Sequence, residues 1–265
     1  MPLDPTRHGP AALVTGASSG IGREYARALA ARRFDLVITA RRRDRLEELR
    51  NELTQRHRVR VELIEQELAA PDAGQRIERR VAELGWGIGL LVNNAGFGLY
   101  GRLDQTDPAR QVAMVDANCR AVLDLTLRFL PPMVRRRRGG LIIVSSVLGF
   151  IPTPFYSVYS ATKAFDLLLA EALHAEYRDL GIDVLAVCPG MTRTEFNAGA
   201  GIKSVGRFNR EPEQVVESSL KLLGRRAFMV DGWWNRLLLA ALRCVPRRLM
   251  VAGSHRIMTR RNPEA

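Results

Sequence analysis

Cysteine, lysine and long apolar runs are all scarce in this chain of 265 residues. The three cysteines, Cys119, Cys188 and Cys244, show neither paired nor metal-type spacing, which predicts free thiols in a reducing compartment and no metal site. The N-terminus lacks the apolar core of a signal peptide, and no uncharged apolar run approaches the roughly 20 residues that span a bilayer. These absences predict a cytoplasmic protein without a transmembrane segment.

Arginine carries almost all of the positive charge. Lys163, Lys203 and Lys221 are the only lysines among 40 basic residues, and with 28 acidic residues the net charge is +12. Such a balance favours anionic partners, whether nucleotide phosphates, nucleic acid or an acidic membrane surface. The basic run 135–138 has no interleaved aromatic platform, so we expect no nucleic-acid partner.

Short apolar runs alternate with longer amphipathic stretches along the chain. The near-continuous hydrophobicity of the short runs is typical of parallel strands buried on both faces. Apolar residues at helical spacing, as in 43–53 and 164–180, predict helices between them. The alternation predicts an α/β fold of Rossmann type, a doubly wound parallel sheet of about seven strands with helices on both faces. The predicted strands are 11–16, 35–40, 59–64, 90–96, 141–146, 182–187 and 227–230.

A glycine-rich turn, TGASSGIG (15–22), follows the first predicted strand. Gly16, Gly20 and Gly22 permit a tight turn, a close approach to a phosphate and close packing of helix on strand. The helix that follows presents free N–H groups and a positive dipole to a pyrophosphate. A purely structural turn of small residues is the alternative, but its position between strand and helix favours a dinucleotide site.

Arginines occupy the end of the second predicted strand. An NAD-specific site places a carboxylate there to bind the ribose 2′-hydroxyl. This chain has Ala40 followed by Arg41, Arg42 and Arg43, and the fork of donors on an arginine suits a 2′-phosphate. We therefore expect NADP(H) to be favoured over NAD(H). The alternative is that these arginines only occupy an exposed helix start.

Tyr159 and Lys163 lie four residues apart, on one face of a predicted helix. A free tyrosine has a pKa near 10 and is a poor base at neutral pH, but a nearby lysine cation lowers that pKa. The pair therefore predicts a general acid–base.

Ser146 ends a predicted strand, where its hydroxyl would donate to a substrate oxygen, and Asn118 would order a proton relay. Singly each has an ordinary structural explanation; together they predict a catalytic group.

The chain resembles the short-chain dehydrogenase/reductase family over nearly its whole length. The resemblance rests on TGASSGIG, NNAG (93–96), Asn118, Ser146, the Tyr-x-x-x-Lys pair and PGMTRTEF (189–196), in order and spacing. It implies that Tyr159 is the acid–base and that Ser146 polarises the carbonyl. It also implies that Lys163 binds the nicotinamide ribose, that Asn118 completes a proton relay, and that the protein is a homodimer or homotetramer.

The same resemblance implies the cofactor contacts. Asn93 would lie on the adenosine side, and 189–194 would line the nicotinamide pocket with Thr194 against the carboxamide. Glu67 stands where many members carry an aspartate near the adenine, and Ser19 stands where NADP users often carry a basic residue, which leaves most of the preference to Arg41. The candidate cofactor-binding residues are Gly16, Ser18, Ser19, Gly20, Ile21, Gly22, Arg41, Leu68, Asn93, Ala95, Gly96, Tyr159, Lys163, Pro189, Gly190, Thr192 and Thr194.

Two segments bear on the substrate. The glycine-rich stretch 191–210 predicts a mobile loop over it, within a single catalytic domain 1–231. Apolar residues in 150–156 predict a lipophilic carbonyl or alcohol, although core packing explains them equally well.

The remaining residues, 232–265, form a basic amphipathic C-terminal extension. The stretch 232–261 contains no acid, and Pro246 divides it into two helical patterns. Tryptophan, leucine and arginine together predict peripheral association with an anionic membrane surface. Covering the pocket or packing on another subunit are the alternatives.

These patterns predict an NADP(H)-dependent oxidoreductase that interconverts a carbonyl and an alcohol by hydride transfer, with Tyr159 moving the proton. A catalytically silent dinucleotide-binding scaffold or sensor is the alternative, because a fold does not fix a function. A lipid-binding protein of the membrane surface with vestigial catalytic residues is a third reading.

Overall fold

The computed structural model describes residues 3, 5–196 and 210–261. Its strands are β1 (Ala11–Thr15), β2 (Asp35–Ala40), β3 (Val61–Glu65), β4 (Ile88–Asn93), β5 (Gly139–Val144), β6 (Ile182–Cys188) and β7 (Phe228–Val230). Its helices are α1 (Pro5–His8), α2 (Gly20–Ala31), α3 (Arg43–His57), α4 (Ala73–Glu83), α5 (Pro108–Val115), α6 (Ala121–Arg135), α7 (Ser157–Tyr177), α8 (Pro212–Leu222), α9 (Trp233–Leu242) and α10 (Arg247–Arg261).

The seven strands form one parallel sheet in the order β3-β2-β1-β4-β5-β6-β7. The predicted doubly wound sheet is therefore confirmed. The order reverses at β1, which pairs with β2 on one side and β4 on the other. In such sheets a crevice opens beyond the carboxyl ends of the strands at this switch point.

Alternate residues of each strand face opposite helical layers. In β1, Ala12 and Val14 pack into the layer of α2, α3 and α8, whereas Ala11 and Leu13 pack into the layer of α4, α6 and α7. Each fully buried leucine in these layers contributes about 1.5–3 kcal/mol of burial free energy. Burial on both faces explains why the strands read as continuous apolar runs.

Only β2 has the predicted ends; the other six strands differ from the predictions by one to three residues at one or both ends. β5 begins two residues earlier than the predicted 141–146, because Gly139 and Gly140 pair with β6. The same strand stops at Val144, so Ser146 lies beyond the sheet and caps a short 3₁₀ turn by accepting a hydrogen bond from Leu148 N at 3.1 Å. β4 likewise ends at Asn93, before the rest of the NNAG motif.

The helix that carries Tyr159 and Lys163 is longer than its apolar pattern predicts. α7 spans 21 residues from Ser157, whereas the periodicity begins only at residue 164. Its first two turns bury polar side chains, including Ser160 and Thr162, and such residues give no hydrophobic signal.

The C-terminal extension contains two helices separated at Pro246, as the sequence predicts. Leu239 on α9 is buried in the core, so this helix is attached to the sheet. Across the described ranges, which omit 197–209, no helix is long and apolar enough to cross a membrane. Most of the predicted substrate loop, 197–209, lies outside the described residues.

Candidate active site

A cleft of about 800 Å³ opens at the carboxyl edge of the sheet. Residues that follow β1, β2, β4, β5 and β6 line it, and so do residues of α7 and of the C-terminal helices. This position matches the crevice that the strand order creates at its switch point.

The turn after β1 has the geometry of a phosphate-binding loop. Gly16 and Gly20 adopt φ values of +68° and +54°, which are strained for other residues. A Cβ on Gly16 would stand 2.9 Å from the Ala95 Cα, so the turn packs closely on the strand-end loop after β4. Ser19 precedes α2 without a capping side-chain hydrogen bond, which leaves the first amides of that helix available. This uncapped helix start fits the pyrophosphate of a dinucleotide.

Two arginines at the end of β2 face different partners. Arg41 is 70% exposed and pairs with Glu67 at 3.2 Å. Arg42 donates to the Ser18 hydroxyl at 3.2 Å and to Glu195 at 2.6 Å, so it reaches across the phosphate turn to the loop after β6. Hydrogen bonds from Arg42 and then Arg45 hold the pKa of the Glu195 carboxyl below its usual range.

Tyr159 lies on the first turn of α7 and is only 7% exposed. Its ring packs against the rings of Tyr156 and Phe196, with centroids 5.7 and 5.4 Å away. Burial raises the pKa of Tyr159, while the Lys163 cation and a hydrogen bond with Ser146 oppose that rise. The lysine therefore acts on the tyrosine in the predicted direction, but burial outweighs it.

Lys163 is buried one turn beyond Tyr159. Its Nζ donates to the carbonyl of Val144 at 2.9 Å and to Asp166 Oδ2 at 2.8 Å. Burial alone lowers the pKa of Lys163, but the Asp166 carboxylate raises it above the usual value. The ammonium is thus retained at the edge of the cleft, between the end of β5 and α7.

Asn118 lies in a single π turn, Asp116–Arg120, between α5 and α6. It is fully buried. Its Oδ1 accepts from Phe97 N at 3.1 Å, and its Nδ2 donates to Phe97 O at 3.0 Å and to Thr162 Oγ1 at 3.1 Å. Asn118 therefore ties the loop after β4 to the first turns of α7. A π turn inserts one residue into a helix and often marks a functional site.

An apolar cluster adjoins Tyr159 within the cleft. Met114, Tyr156 and Tyr159 form its buried part, and Phe97, Leu99, Tyr100, Leu148, Val158, Phe196 and Met258 pack against it. The described part of the 191–210 segment contributes Phe196 to this wall.

The C-terminal helix α10 closes one side of the cleft. The Tyr100 hydroxyl donates to Met258 O at 3.0 Å, and Ser254 Oγ donates to Pro152 O at 3.0 Å. The rings of His255 and Phe155 stack with centroids 5.5 Å apart. Covering the pocket, one of the alternatives for the extension, is therefore observed for α10.

The profile of the short chain dehydrogenase family matches residues 10–205. The chain belongs to this family. It is 34% identical over 217 residues to the very-long-chain 3-oxoacyl-CoA reductase of Bos taurus, covering 80% of this chain and 68% of that protein. It is also similar to a short-chain dehydrogenase from Sphingobium yanoikuyae solved in complex with NADPH, with 33% identity, a TM-score of 0.79 and coverage of 90% and 97% of the two chains.

A 7β-hydroxysteroid dehydrogenase structure shares the fold, with a TM-score of 0.89 over 96% of this chain and all of that one, at 22% identity. Membership in the short chain dehydrogenase family confirms that the protein is an oxidoreductase. The alternative of a catalytically silent scaffold finds no support in these similarities.

Most of the residues predicted from the short chain dehydrogenase motifs line the cleft. Gly22, Asn93 and Asn118 do not. Gly22 instead packs against Gly16, and Asn93 points into the helical layer, where it donates to Thr126 Oγ1 at 3.2 Å. The lining residues are Gly16, Ser18, Ser19, Gly20, Ile21, Arg41, Leu68, Ala95, Gly96, Ser146, Tyr159, Lys163, Pro189, Gly190, Thr192 and Thr194.

The structure adds residues that the predicted site set left out. Asn94, a neighbour of Asn93 in the NNAG motif, faces the cleft because β4 ends at Asn93 and the chain leaves the sheet there. Arg42 and Glu195 meet only through tertiary structure. Asp166 had one available signal: an acid three residues after Lys163 within the otherwise apolar stretch 164–170. The chemical roles of all these residues stay predictions.

We expect Asn118→Ala to destabilise the protein, because it removes three hydrogen bonds and leaves the partly buried backbone amide of Phe97 without this partner. The loss should be about 2–3 kcal/mol, or roughly 5–10 °C in Tm. Thermal unfolding measures it, with Asn51→Ala on the exposed face of α3 as the control. Equal Tm changes in the two variants would contradict the bridging role of Asn118.

Proposed function

We propose that the protein is an NADP(H)-dependent reductase or dehydrogenase that interconverts a carbonyl and an alcohol on a lipophilic substrate. The observation that carries this proposal is the group formed by Tyr159, Ser146 and Lys163 at the edge of the cleft. The uncapped start of α2 and the glycine turn before it fit a dinucleotide in the same cleft.

A nicotinamide cofactor supplies or accepts the hydride when bound. In the reductive direction Tyr159 donates its phenolic proton to the substrate oxygen, and in the oxidative direction its phenolate accepts that proton. Ser146 Oγ accepts from Leu148 N and forms a hydrogen bond with Tyr159, so a bound substrate oxygen would take over the hydrogen of the serine hydroxyl. The two hydroxyls would thus stabilise the charge that develops on one atom.

Lys163 orients the cofactor in this proposal. An ammonium has three donors, and two of them are used by Val144 O and Asp166 Oδ2. The third is available for the nicotinamide ribose. Asn118 fits the predicted proton relay only through Oδ1, because both amide donors of this side chain are used within the fold.

The preference for the phosphorylated cofactor rests on the end of β2. Arg41 is largely exposed at the cleft, and Arg42 lies against the phosphate turn through Ser18. Both would bind a 2′-phosphate, whereas no carboxylate occupies the first three positions after β2. Arg41 now pairs with Glu67 and Arg42 with Glu195, and a bound 2′-phosphate would replace these carboxylates as the partner of each arginine.

A lipophilic substrate is supported by the apolar cluster beside Tyr159. The bovine relative is a reductase of very-long-chain 3-oxoacyl-CoA. We therefore place acyl carbonyl compounds among the first substrates to assay.

We also propose a homo-oligomer, a dimer or a tetramer. Exposed apolar side chains on α5, α6 and α7 support it, among them Val112, Leu127 and Leu168, each more than 60% exposed. Covering such residues is a common reason for self-association. A monomeric mass in sedimentation equilibrium would contradict this assembly.

We propose further that the extension beyond residue 231 binds an anionic membrane surface through α9. This helix exposes Trp233, Trp234, Leu237 and Leu238 at 67, 46, 56 and 47%. They lie on the side opposite the buried Leu239, so one helix has both an attached face and an apolar outward face. An outward apolar face rich in tryptophan is what interfacial helices bury in the headgroup region.

The charge around α9 suits anionic lipid. Arginines follow it at Arg243, Arg247 and Arg248, and the extension has no acid before residue 262. Leu238 also lines the cleft, so a docked membrane would lie beside the cleft that takes the lipophilic substrate.

The cofactor preference predicts a difference in thermal stabilisation. Saturating NADPH, at about 100 times its Kd, should stabilise the protein by about 2.7 kcal/mol, or roughly 5–10 °C, and NADH should stabilise it less. Arg41→Ala combined with Arg42→Ala should remove the difference, whereas Arg43→Ala, which loses an exposed arginine beside them, should keep it. An equal or larger shift with NADH in the wild type would reverse the proposed preference.

Tyr159→Phe should lower kcat by about 10²–10⁴-fold, because the phenol that exchanges the proton is lost. NADPH affinity should change little, since the ring contacts remain. Steady-state assays with lipophilic carbonyl compounds and NADPH titrations measure the two quantities. Tyr156→Phe removes a neighbouring buried hydroxyl that has no hydrogen-bond partner among the described residues, and should affect kcat far less. Similar kcat losses in both variants would argue against Tyr159 as the acid–base.

Vesicle sedimentation tests the membrane surface. Binding to phosphatidylglycerol-containing vesicles should weaken roughly tenfold in Leu237→Ser, which removes an anchoring side chain. Leu103→Ser is the matched control, because Leu103 is exposed to 58% and Leu237 to 56%.

Charge is tested in parallel. Arg247→Gln with Arg248→Gln should weaken vesicle binding roughly tenfold, and Arg56→Gln with Arg79→Gln should not, although both pairs remove the same charge. Two results would rule out this surface: equal vesicle binding by Leu237→Ser and Leu103→Ser, or no vesicle binding by the wild-type protein at low salt.

A further inference from the structure

Asp166 is a fully buried carboxylate, one helical turn beyond Lys163 on α7. Its Oδ2 lies 2.8 Å from Lys163 Nζ, and the two side chains are 1% and 6% exposed. Its other oxygen, Oδ1, is buried and has no hydrogen-bond partner among the described residues. Burying a charge this completely is costly, so the position invites a functional explanation.

A structural explanation accounts for only part of the geometry. Lys163 is already anchored by the carbonyl of Val144 at 2.9 Å, and its aliphatic stem is buried in α7. Asp166 supplies a second anchor for the same ammonium. It also places a negative charge where it acts on the proton of Tyr159, since the Asp166 carboxylate raises the pKa of that phenol.

Four other groups face Asp166. Tyr159 and Lys163 belong to the same helix, Cys119 reaches it from the π turn, and Cys188 from β6. Burial raises the pKa of each thiol to about 12, so both cysteines are neutral well below that pH. The pH response of this group of residues therefore depends on Asp166, Lys163 and Tyr159.

We propose that Asp166 is a positioning residue for the oxidoreductase reaction: it holds the Lys163 ammonium in place and sets the pH range over which Tyr159 exchanges its proton. This inference rests on the proposed function, because it assigns a purpose to the titration of Tyr159. It makes Asp166 the opposing partner of Lys163, since the cation favours the phenolate and the carboxylate favours the phenol.

The direction of the effect follows from the charges. Burial raises the pKa of Asp166 to about 6, against the influence of Lys163, so the carboxylate is ionised at the alkaline pH where a tyrosine titrates. Removing that negative charge lowers the pKa of Tyr159 as long as Lys163 stays protonated, although the same change also lowers the pKa of Lys163. Oxidation needs the phenolate and would then begin at lower pH, and reduction needs the phenol and would then fail at lower pH. The pH profiles of oxidation and of reduction therefore both shift to lower pH.

The decisive variant is Asp166→Asn, which keeps the size of the side chain and loses its charge. Its kcat/KM profiles in both directions should shift to lower pH by about one unit. Asp166→Glu retains the carboxylate and should restore most of the wild-type profile. Glu171→Gln, which removes a partly buried acid farther along α7, should leave the profile where it is. Thermal unfolding and NADPH titration of each variant establish that it folds and binds.

A second measurement does not need turnover. The ultraviolet difference between each protein and its Tyr159→Phe counterpart reports the ionisation of Tyr159 directly. The midpoint should fall in Asp166→Asn relative to the wild type. An unchanged midpoint in a folded variant overturns the inference about Asp166 even if the enzyme is active. A lowered midpoint in a protein that reduces no carbonyl compound instead overturns the proposed function and leaves the electrostatic role of Asp166 intact.

Discussion

Burial of the central sheet on both faces restricts where polar chemistry can occur in this protein. A polar side chain within a strand would enter one of the two helical layers, where an unpaired polar group is costly. Polar side chains therefore gather where the strands end: Ser145 and Ser146 after β5, and Asn94 after β4. Because all seven strands are parallel, these ends meet at one edge. The cleft and its chemistry are consequences of that arrangement.

The same constraint positions the lysine. The carbonyl of Val144, at the last position of β5, accepts from Lys163, while Ser145 Oγ donates to the carbonyl of Lys163 at 2.6 Å. Helix α7 is thus fastened to the strand end at both the side chain and the backbone of one residue. This attachment also fixes the position of Tyr159, one turn earlier in α7. Asp166, one turn later, places a carboxylate against the Lys163 ammonium.

The sequence predicted the sheet and most of the cleft because those features depend on local patterns. Apolar runs mark the strands, and glycine spacing marks the phosphate turn. It could not show that Asn93 faces away and Asn94 faces the cleft, since that depends on where β4 leaves the sheet. The Arg42–Glu195 contact joins residues 153 positions apart, and no local pattern encodes it. The closure of the cleft by α10 likewise depends on contacts of Met258 and Ser254 with distant loops.

The π turn at Asp116–Arg120 makes α5 and α6 in effect one long helix with a surplus residue. The wide turn absorbs the surplus residue, so a deletion of one residue here would restore regular hydrogen bonding and leave Met114 and Phe129 on nearly the same faces. The deletion would instead shift Asn118, whose side chain binds the loop after β4. The π turn therefore matters for where it places Asn118 rather than for how α5 and α6 face the core.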